Sequence, residues 1–155
     1  MNKFKLYIFA IFFLIRYEGI SQELKIEFEW ESPKVVYENE NQLVKSIYFK
    51  QAEYLDNYSV PYFIYDIGVV SDDFVVSPQL IYAEYMPLSE EELAIFEASG
   101  VILQDEAHLE IKRKTIKKES YVSLIILPFR KNPQTGIVEK LLTASVRISS
   151  EWQDI

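Results

Sequence analysis

The amino-acid sequence predicts a mainly β fold, an antiparallel β-sandwich with one short α-helix. Apolar and polar residues alternate in several short segments, which is the period of a β-strand with one face in solvent. Turn-forming residues separate these segments, and only one stretch carries helix-start and helix-stop signals. No repeat and no linker-like stretch divides the chain, so the segments are expected to pack as one domain.

The first residues of the chain have the pattern of a secretory signal peptide. Lysines precede a short apolar run, and Gly19 and Ser21 supply the small residues of a cleavage site. The run is shorter than the roughly 20 residues that a bilayer-spanning helix needs, and a membrane anchor is the alternative interpretation. The sequence therefore predicts export, with a signal peptide over residues 1–21 and a single β-sandwich domain over residues 22–155.

Composition excludes several classes of function. The chain has a formal net charge of -8, and nucleic acid is a poor partner because phosphate contacts need clustered Lys and Arg. It contains no cysteine, which excludes a thiol nucleophile, a disulfide framework and a thiolate metal site in this sequence. The domain must therefore be stabilised by its hydrophobic core.

Alternation predicts the strands of the N-terminal half. One strand covers residues 24–30 and is expected to end at Pro33, and a second covers residues 43–49. Pro61 restricts the next strand to a start at Tyr62 or to a sheet edge, because proline cannot donate to a β-ladder.

The middle of the chain predicts a turn, two short strands and then a helix. Residues 74–76 and 79–86 are the expected strands, separated by Ser77 and Pro78. The helix should start after Ser89 and end at Gly100. A capping box formed by that serine and Glu92 marks its start, and its inward-facing residues are predicted to be Leu93 and Phe96.

The C-terminal part predicts a long hairpin. A strand pattern over residues 101–111 leads through a basic turn into residues 121–129, which are apolar on both faces and expected to be buried. Residues 138–148 alternate, which predicts a strand with one face in solvent. The loop of residues 130–136 joins these two strands.

Residues that could bind a metal or act in catalysis are few. His108 would share a strand face with Glu106 and Glu110, but neighbouring side chains on one strand rarely converge on one ion, so a solvated face is the favoured interpretation. No Gly-x-Ser-x-Gly context supports a Ser/His nucleophile. We therefore predict no catalytic residue, no cofactor and no metal.

Two surface features leave alternatives open. The eleven tyrosines are expected to form cross-strand pairs, and a sugar-binding platform is the alternative. The basic run over residues 112–118 is expected to be a solvated hairpin end, and a docking patch for an acidic partner or an anionic surface is the alternative.

Residues 127–141, Leu-Pro-Phe-Arg-Lys-Asn-Pro-Gln-Thr-Gly-Ile-Val-Glu-Lys-Leu, resemble a stretch late in the N-terminal region of the type IX secretion system sortases, the PorU-type family. These are gingipain-type cysteine peptidases of Bacteroidetes. The Glu-Phe-Glu-Trp strand that ends at Trp30, Val-Pro-Tyr over residues 60–62 and the helix start over residues 88–93 agree with the resemblance. It covers residues 22–149 as scattered features.

The resemblance implies a non-catalytic, propeptide-like domain that precedes a peptidase domain and supports its folding or latency. The family nucleophile is a cysteine paired with a histidine, and the absence of cysteine means that no catalytic role carries over to this chain, which is expected not to be an enzyme. The chain would be the N-terminal region of a larger sortase-type protein or a stand-alone relative. Expected partners are a gingipain-type peptidase domain or other type IX secretion components.

The resemblance also implies location in the periplasm or at the outer-membrane surface of a Gram-negative bacterium, with peripheral association with that membrane. A pro-domain can present a loop to the peptidase cleft, and here Arg130 or Lys131 would be the residue presented. The alternative is a stand-alone secreted surface domain that binds glycan or another protein, and a small exported hydrolase is a third hypothesis. The predicted partner-contact loop consists of Arg130, Lys131, Asn132, Pro133, Gln134, Thr135 and Gly136.

Overall fold

The strands of the protein pair antiparallel and form three sheets. The structure is a computed structural model that describes residues 21–39, 42–55 and 59–153. Residues 1–20 of the predicted signal peptide lie outside these ranges, so that assignment stays a prediction. The elements in chain order are β1 Ser21–Glu27, β2 Trp30–Asn39, β3 Gln42–Phe49, β4 Phe63–Val69, β5 Phe74–Pro87, α1 Glu90–Ser99, β6 His108–Ile116, β7 Glu119–Leu127, β8 Phe129–Lys131 and β9 Val138–Trp152.

The two larger sheets pack face to face. One has the strand order β1-β9-β5 with β8 also paired to β9, and the other has the order β4-β7-β6. The main core draws buried side chains from both sheets, including Leu24 and Val146 from the first and Leu124 and Ile126 from the second. The predicted mainly β, antiparallel fold with one short helix is confirmed.

Helix α1 covers a second, smaller core. Ser89 caps its first turn by accepting a hydrogen bond from the Glu92 backbone N at 3.2 Å, and Gly100 ends it in the left-handed conformation at φ 71°. The predicted helix and both of its ends are therefore confirmed. The buried residues of this core are Ile47, Val60, Phe96, Leu127 and Phe129.

The predicted long hairpin is wrong. β7 and β9 belong to different sheets, and only the three residues of β8 pair with β9. Pro128 separates β7 from β8, and because proline has no N–H to continue the ladder, the chain passes there from one sheet to the other. The expected burial holds for Val122 and residues 124–129, whereas Ser123 is half-buried and Tyr121 is exposed.

Two predicted strand breaks are also wrong. Pro78 lies inside β5, opposite Ile148, which is tolerated because β5 is an edge strand with one unpaired side. Pro33 lies inside β2, at a shift of register between Glu31 and Lys34, so a bulge absorbs the missing donor.

Segment boundaries differ after the helix. Residues 101–107 are irregular, and β6 begins at His108 and continues to Ile116, five residues beyond the predicted end of that strand. The basic turn is therefore confined to Lys117 and Lys118, because the ladder with β7 extends to the pair of Ile116 and Glu119.

The solvent face predicted for β9 is only partly correct. Arg147 is exposed, but Glu139 and Ser145, which were predicted to share its face, are buried, and the pairing of β9 with β5 shifts register between Leu141 and Thr143. The polar face of this strand is covered near its start, where the candidate loop joins the sheet.

Candidate functional site

The candidate loop, residues 130–136, is closed by the side chain of Asn132. Its Oδ1 accepts hydrogen bonds from the backbone N of Gln134 at 2.9 Å and of Thr135 at 3.2 Å. Gly136 N donates to the Asn132 carbonyl at 2.8 Å, and Gly136 has φ 70°, a conformation that favours glycine. The asparagine and glycine in the sequence therefore build a tight, internally bonded turn.

A buried carboxylate attaches this loop to the sheet. Glu139 Oε1 accepts from Asn132 Nδ2 at 2.7 Å, and Glu139 Oε2 accepts from Arg130 Nε at 3.0 Å. Arg130 Nη2 also lies 2.9 Å from the same Oε2. Burial works against ionisation of Glu139, but the bonds from Asn132 and Arg130 outweigh it and hold the pKa of Glu139 below its usual value of 4.5.

Arg130 is fixed from its other side as well. Its guanidinium carbon lies 3.8 Å from the centroid of the Tyr85 ring, and its Nη1 lies 3.8 Å from Glu106 Oε1. Tyr85 in turn donates to Glu106 Oε2 at 2.8 Å and accepts from Ala107 N at 3.0 Å. Burial raises the pKa of Tyr85 to about 12, so its hydroxyl stays protonated and remains a donor.

The two cations predicted for presentation therefore have different environments. The Arg130 side chain is only 19% exposed and belongs to the network with Glu139. Lys131 is exposed, and its side chain has no ion-pair partner among the residues that the structure describes. Its backbone N donates to the Gln104 carbonyl at 2.9 Å, which fixes the point from which the side chain leaves the surface.

A shallow groove of about 510 Å³ opens beside the network. Arg130 and Glu139 form one part of its lining, and Tyr82, Tyr85 and Glu106 form another. The groove borders the base of the candidate loop, so this side of the molecule combines a concave surface with a projecting turn.

A second groove, of about 970 Å³, lies between the start of β2, the first turn of α1 and the start of β9. Glu92 and Lys140 form a buried ion pair in its lining, with Lys140 Nζ 2.7 Å from each carboxylate oxygen. The ammonium also lies 4.8 Å from the Trp30 ring centroid, and Trp30 Nε1 donates to the Leu141 carbonyl at 2.6 Å. This pair anchors the helix to β9 and was not predicted, because its partners are 48 residues apart.

The remaining sequence candidates are dispersed. His108 is exposed at the first position of β6, opposite Leu127. Within residues 21–39, 42–55 and 59–153, no group of three or more metal-ligating side chains occurs. Tyrosines lie in both of the larger sheets, with Tyr65 in β4 and Tyr121 in β7 of one sheet and Tyr82 in β5 of the other. The glycan-platform alternative remains a hypothesis. No helix in the described part of the chain is long and apolar enough to cross a membrane.

No protein-family profile and no curated protein sequence matches the chain. Solved structures do match it. One is the structure described as gingipain K of Porphyromonas gingivalis in its zymogenic latency, with a TM-score of 0.55 and 12% identity over 89% of this chain and 90% of that chain. Another is the complex of P. gingivalis RgpB pro- and mature domains, with a TM-score of 0.51 and 10% identity over 86% of this chain and 79% of that chain.

At this level of identity the similarity concerns the fold, and it extends over most of both chains. The neighbours are gingipain pro-domain structures, and what this chain shares with them is the fold. Residue roles are not transferred by this similarity. A functional proposal can therefore use two observations, the likeness in fold and the candidate loop with its supporting network.

Proposed function

We propose that this chain is a non-catalytic, propeptide-like domain that packs against a gingipain-type cysteine peptidase and supports its folding or latency. The observation that carries the proposal is the likeness in fold to gingipain pro-domain structures over most of the chain. The sequence contributes a second argument, since it contains no cysteine for the nucleophile of such a peptidase.

The candidate loop is the proposed contact with the peptidase. A loop that occupies a cleft binds more tightly when it is held in its bound shape beforehand, because little conformational entropy is lost on binding. The internal bonds of Asn132 and the bonds of Glu139 to Asn132 and Arg130 supply this preorganisation.

Within the loop, Lys131 is the residue proposed for presentation. Arg130 would have to leave Glu139 and the Tyr85 ring to enter a cleft, and breaking a largely buried ion pair is unfavourable. Lys131 is exposed beside these contacts and can extend without disturbing them. We assign Arg130 to support of the loop and Lys131 to partner contact.

We also propose a more specific assignment for the chain. The 127–141 stretch supports assignment to the N-terminal domain of a PorU-type sortase of the type IX secretion system. On that assignment the protein acts after export, in the periplasm or at the outer-membrane surface, and other type IX components join the peptidase as partners. The signal-peptide pattern over residues 1–21 supports export.

The test is inhibition of the peptidase encoded with this chain, either in a continuation of its reading frame or in a neighbouring gene. Purified full chain is titrated into the mature peptidase while cleavage of a peptide substrate is followed. We expect inhibition by the wild-type chain and, for Lys131→Ala, an increase of about tenfold or more in the inhibition constant, equivalent to about 1.4 kcal/mol of lost contact.

Lys25→Ala is the matched control, because it removes the same charge and side chain from an exposed position of β1, outside the candidate loop. It should inhibit like the wild type. Equal inhibition by the Lys131→Ala and wild-type chains would disprove the role of the loop lysine. A wild-type chain that neither inhibits the peptidase nor improves its refolding would disprove the function itself.

A further inference from the structure

The turn between β6 and β7 holds two lysines in a backbone conformation that disfavours them. Lys117 has φ 50° and Lys118 has φ 69°, while the flanking residues Ile116 and Glu119 remain paired. A two-residue hairpin turn with both residues at positive φ is of type I′, for which Asn-Gly is the preferred sequence. Side chains with a Cβ are strained in this region, so lysine at both positions points to a use for the two charges.

The strand ends beside this turn add positive charge in an otherwise acidic chain. Residues 108–123 contain five cations and two carboxylates, whereas the whole chain has a net charge of -8. Arg113 is turned back into the fold, where its Nη1 donates to Ser120 Oγ at 3.0 Å and lies 3.6 Å from Asp72. The other four cations form no ion pair with any described residue, and they are Lys112, Lys114, Lys117 and Lys118.

Exposed apolar side chains lie among these lysines. Tyr121 pairs with Lys114 on one side and with Val69 on the other, and directly paired residues of a sheet share a face. Val69 is 56% exposed, Ile116 is 42% exposed and Tyr121 is 38% exposed. The carboxylate of Glu119, beside the turn, accepts a hydrogen bond from the Tyr121 hydroxyl at 2.9 Å.

We propose that this hairpin tip, formed by Val69, Tyr121 and residues 112–118, binds an anionic lipid surface. Lysines near such a surface are attracted by its phosphate-bearing headgroups. Short apolar side chains and a tyrosine at the tip suit the boundary between headgroups and acyl chains. The proposal is independent of the peptidase, because no residue of the candidate loop belongs to the tip.

The shape of the tip favours a membrane over an acidic protein. β4 ends at Val69, next to Tyr121, so the last residues of the β6–β7 hairpin extend past their neighbouring strand. A two-residue turn offers much less than the about 800 Å² per partner that a standard protein interface buries. A membrane supplies many headgroups to one small projection, so electrostatic attraction of several lysines can be combined there.

The test measures partitioning of the full chain onto phosphatidylcholine vesicles with and without phosphatidylglycerol. The wild-type chain is expected to bind the anionic vesicles at least about tenfold more tightly than the neutral ones, with binding that weakens as salt is added. The double variant Lys117→Asn, Lys118→Gly should lose about tenfold or more of the anionic binding. Because Asn-Gly suits a type I′ turn, its melting temperature should equal or exceed that of the wild type.

Lys25→Gln with Arg147→Gln is the matched control, since it removes the same charge from exposed positions of β1 and β9. All variants keep the full chain, so any contribution of residues 1–20 is common to them. Undiminished binding by the Asn-Gly variant, or equal binding of the wild type to both vesicles, overturns the proposal. Lysine-dependent binding to a glutamate polymer without vesicle binding would instead identify an acidic protein as the partner.

Discussion

Glu139 is the residue through which the candidate loop depends on the sheet. Its two carboxylate oxygens divide their bonds between Asn132, which shapes the turn, and Arg130, which lies against Tyr85. A carboxylate with about one-eighth of its side chain exposed is normally unfavourable at such a site. Here the Arg130 guanidinium and the Asn132 amide compensate for the burial of Glu139, so its ionised form is the stable one.

Replacement of Glu139 by Gln should therefore lower stability by about 1.5–3 kcal/mol near neutral pH, because a hydrogen-bonded charge is lost. The pKa of Glu139 is depressed in the folded protein, so its contribution is fully present above its ordinary value of 4.5. As the pH falls below that value towards the folded-state pKa, protonation removes the contribution, and the two proteins should converge in stability.

Urea unfolding at about neutral pH and at about pH 3.5 measures this convergence. Glu151→Gln, at an exposed position of the same strand, is the control and should leave stability nearly unchanged at both pH values. A constant difference between wild type and Glu139→Gln across the pH range would contradict the role assigned to ionised Glu139.

For single residues, the hydrogen-bond and ion-pair partners of a side chain could be predicted only where the two residues are close in sequence. The capping role of Ser89 follows from a pattern of four residues and is confirmed. Glu92 was expected to complete that pattern, but its side chain binds Lys140, 48 residues away. The alternation of β9 likewise predicted a solvated Glu139, because burial by a returning loop leaves no local signal.

Strand β7 is the element with the most complete burial, since it is paired on both sides and carries buried side chains on both faces. Ile125 lies in its middle and is buried, whereas Arg147 of β9 is exposed. Ile125→Ala should cost about 2–5 kcal/mol of stability. Arg147→Ala should cost under about 0.5 kcal/mol. Denaturant unfolding compares the two, and similar losses would mean that the faces of these strands are assigned incorrectly.

The prolines show why the presence of a strand was easier to predict than its first and last residues. Pro128 ends β7, whereas Pro78 lies within β5 and Pro33 lies within β2. A proline is tolerated in a strand where its missing donor faces an unpaired edge or a bulge. Edges and bulges are properties of the assembled sheet, so a sequence pattern alone cannot distinguish a proline that breaks a strand from one that sits on its edge.

For the whole molecule, the mainly β antiparallel fold could be predicted from the alternation of apolar and polar residues, but the order of the strands in the sheets could not. The pairing of β1 with β9 joins Ser21 to Ser149, at opposite ends of the described chain. Such pairing depends on the packing of two sheets and has no counterpart in local sequence. The candidate loop does lie in a hairpin, as the sequence predicted, but its first strand is the short β8, which follows the crossing between the sheets at Pro128.

This strand order predicts how the molecule opens. β7 and β9 are each paired on both sides, whereas β5 and β6 occupy sheet edges. Central amides exchange only through large-scale unfolding, while alternate amides of an edge strand face solvent. Hydrogen exchange should therefore be slowest in β7 and β9, with alternate amides of β6 exchanging fast although their neighbours are protected. Uniform protection along β6, equal to that of β7, would show that β6 is covered by a further strand or partner and would contradict its position at the sheet edge.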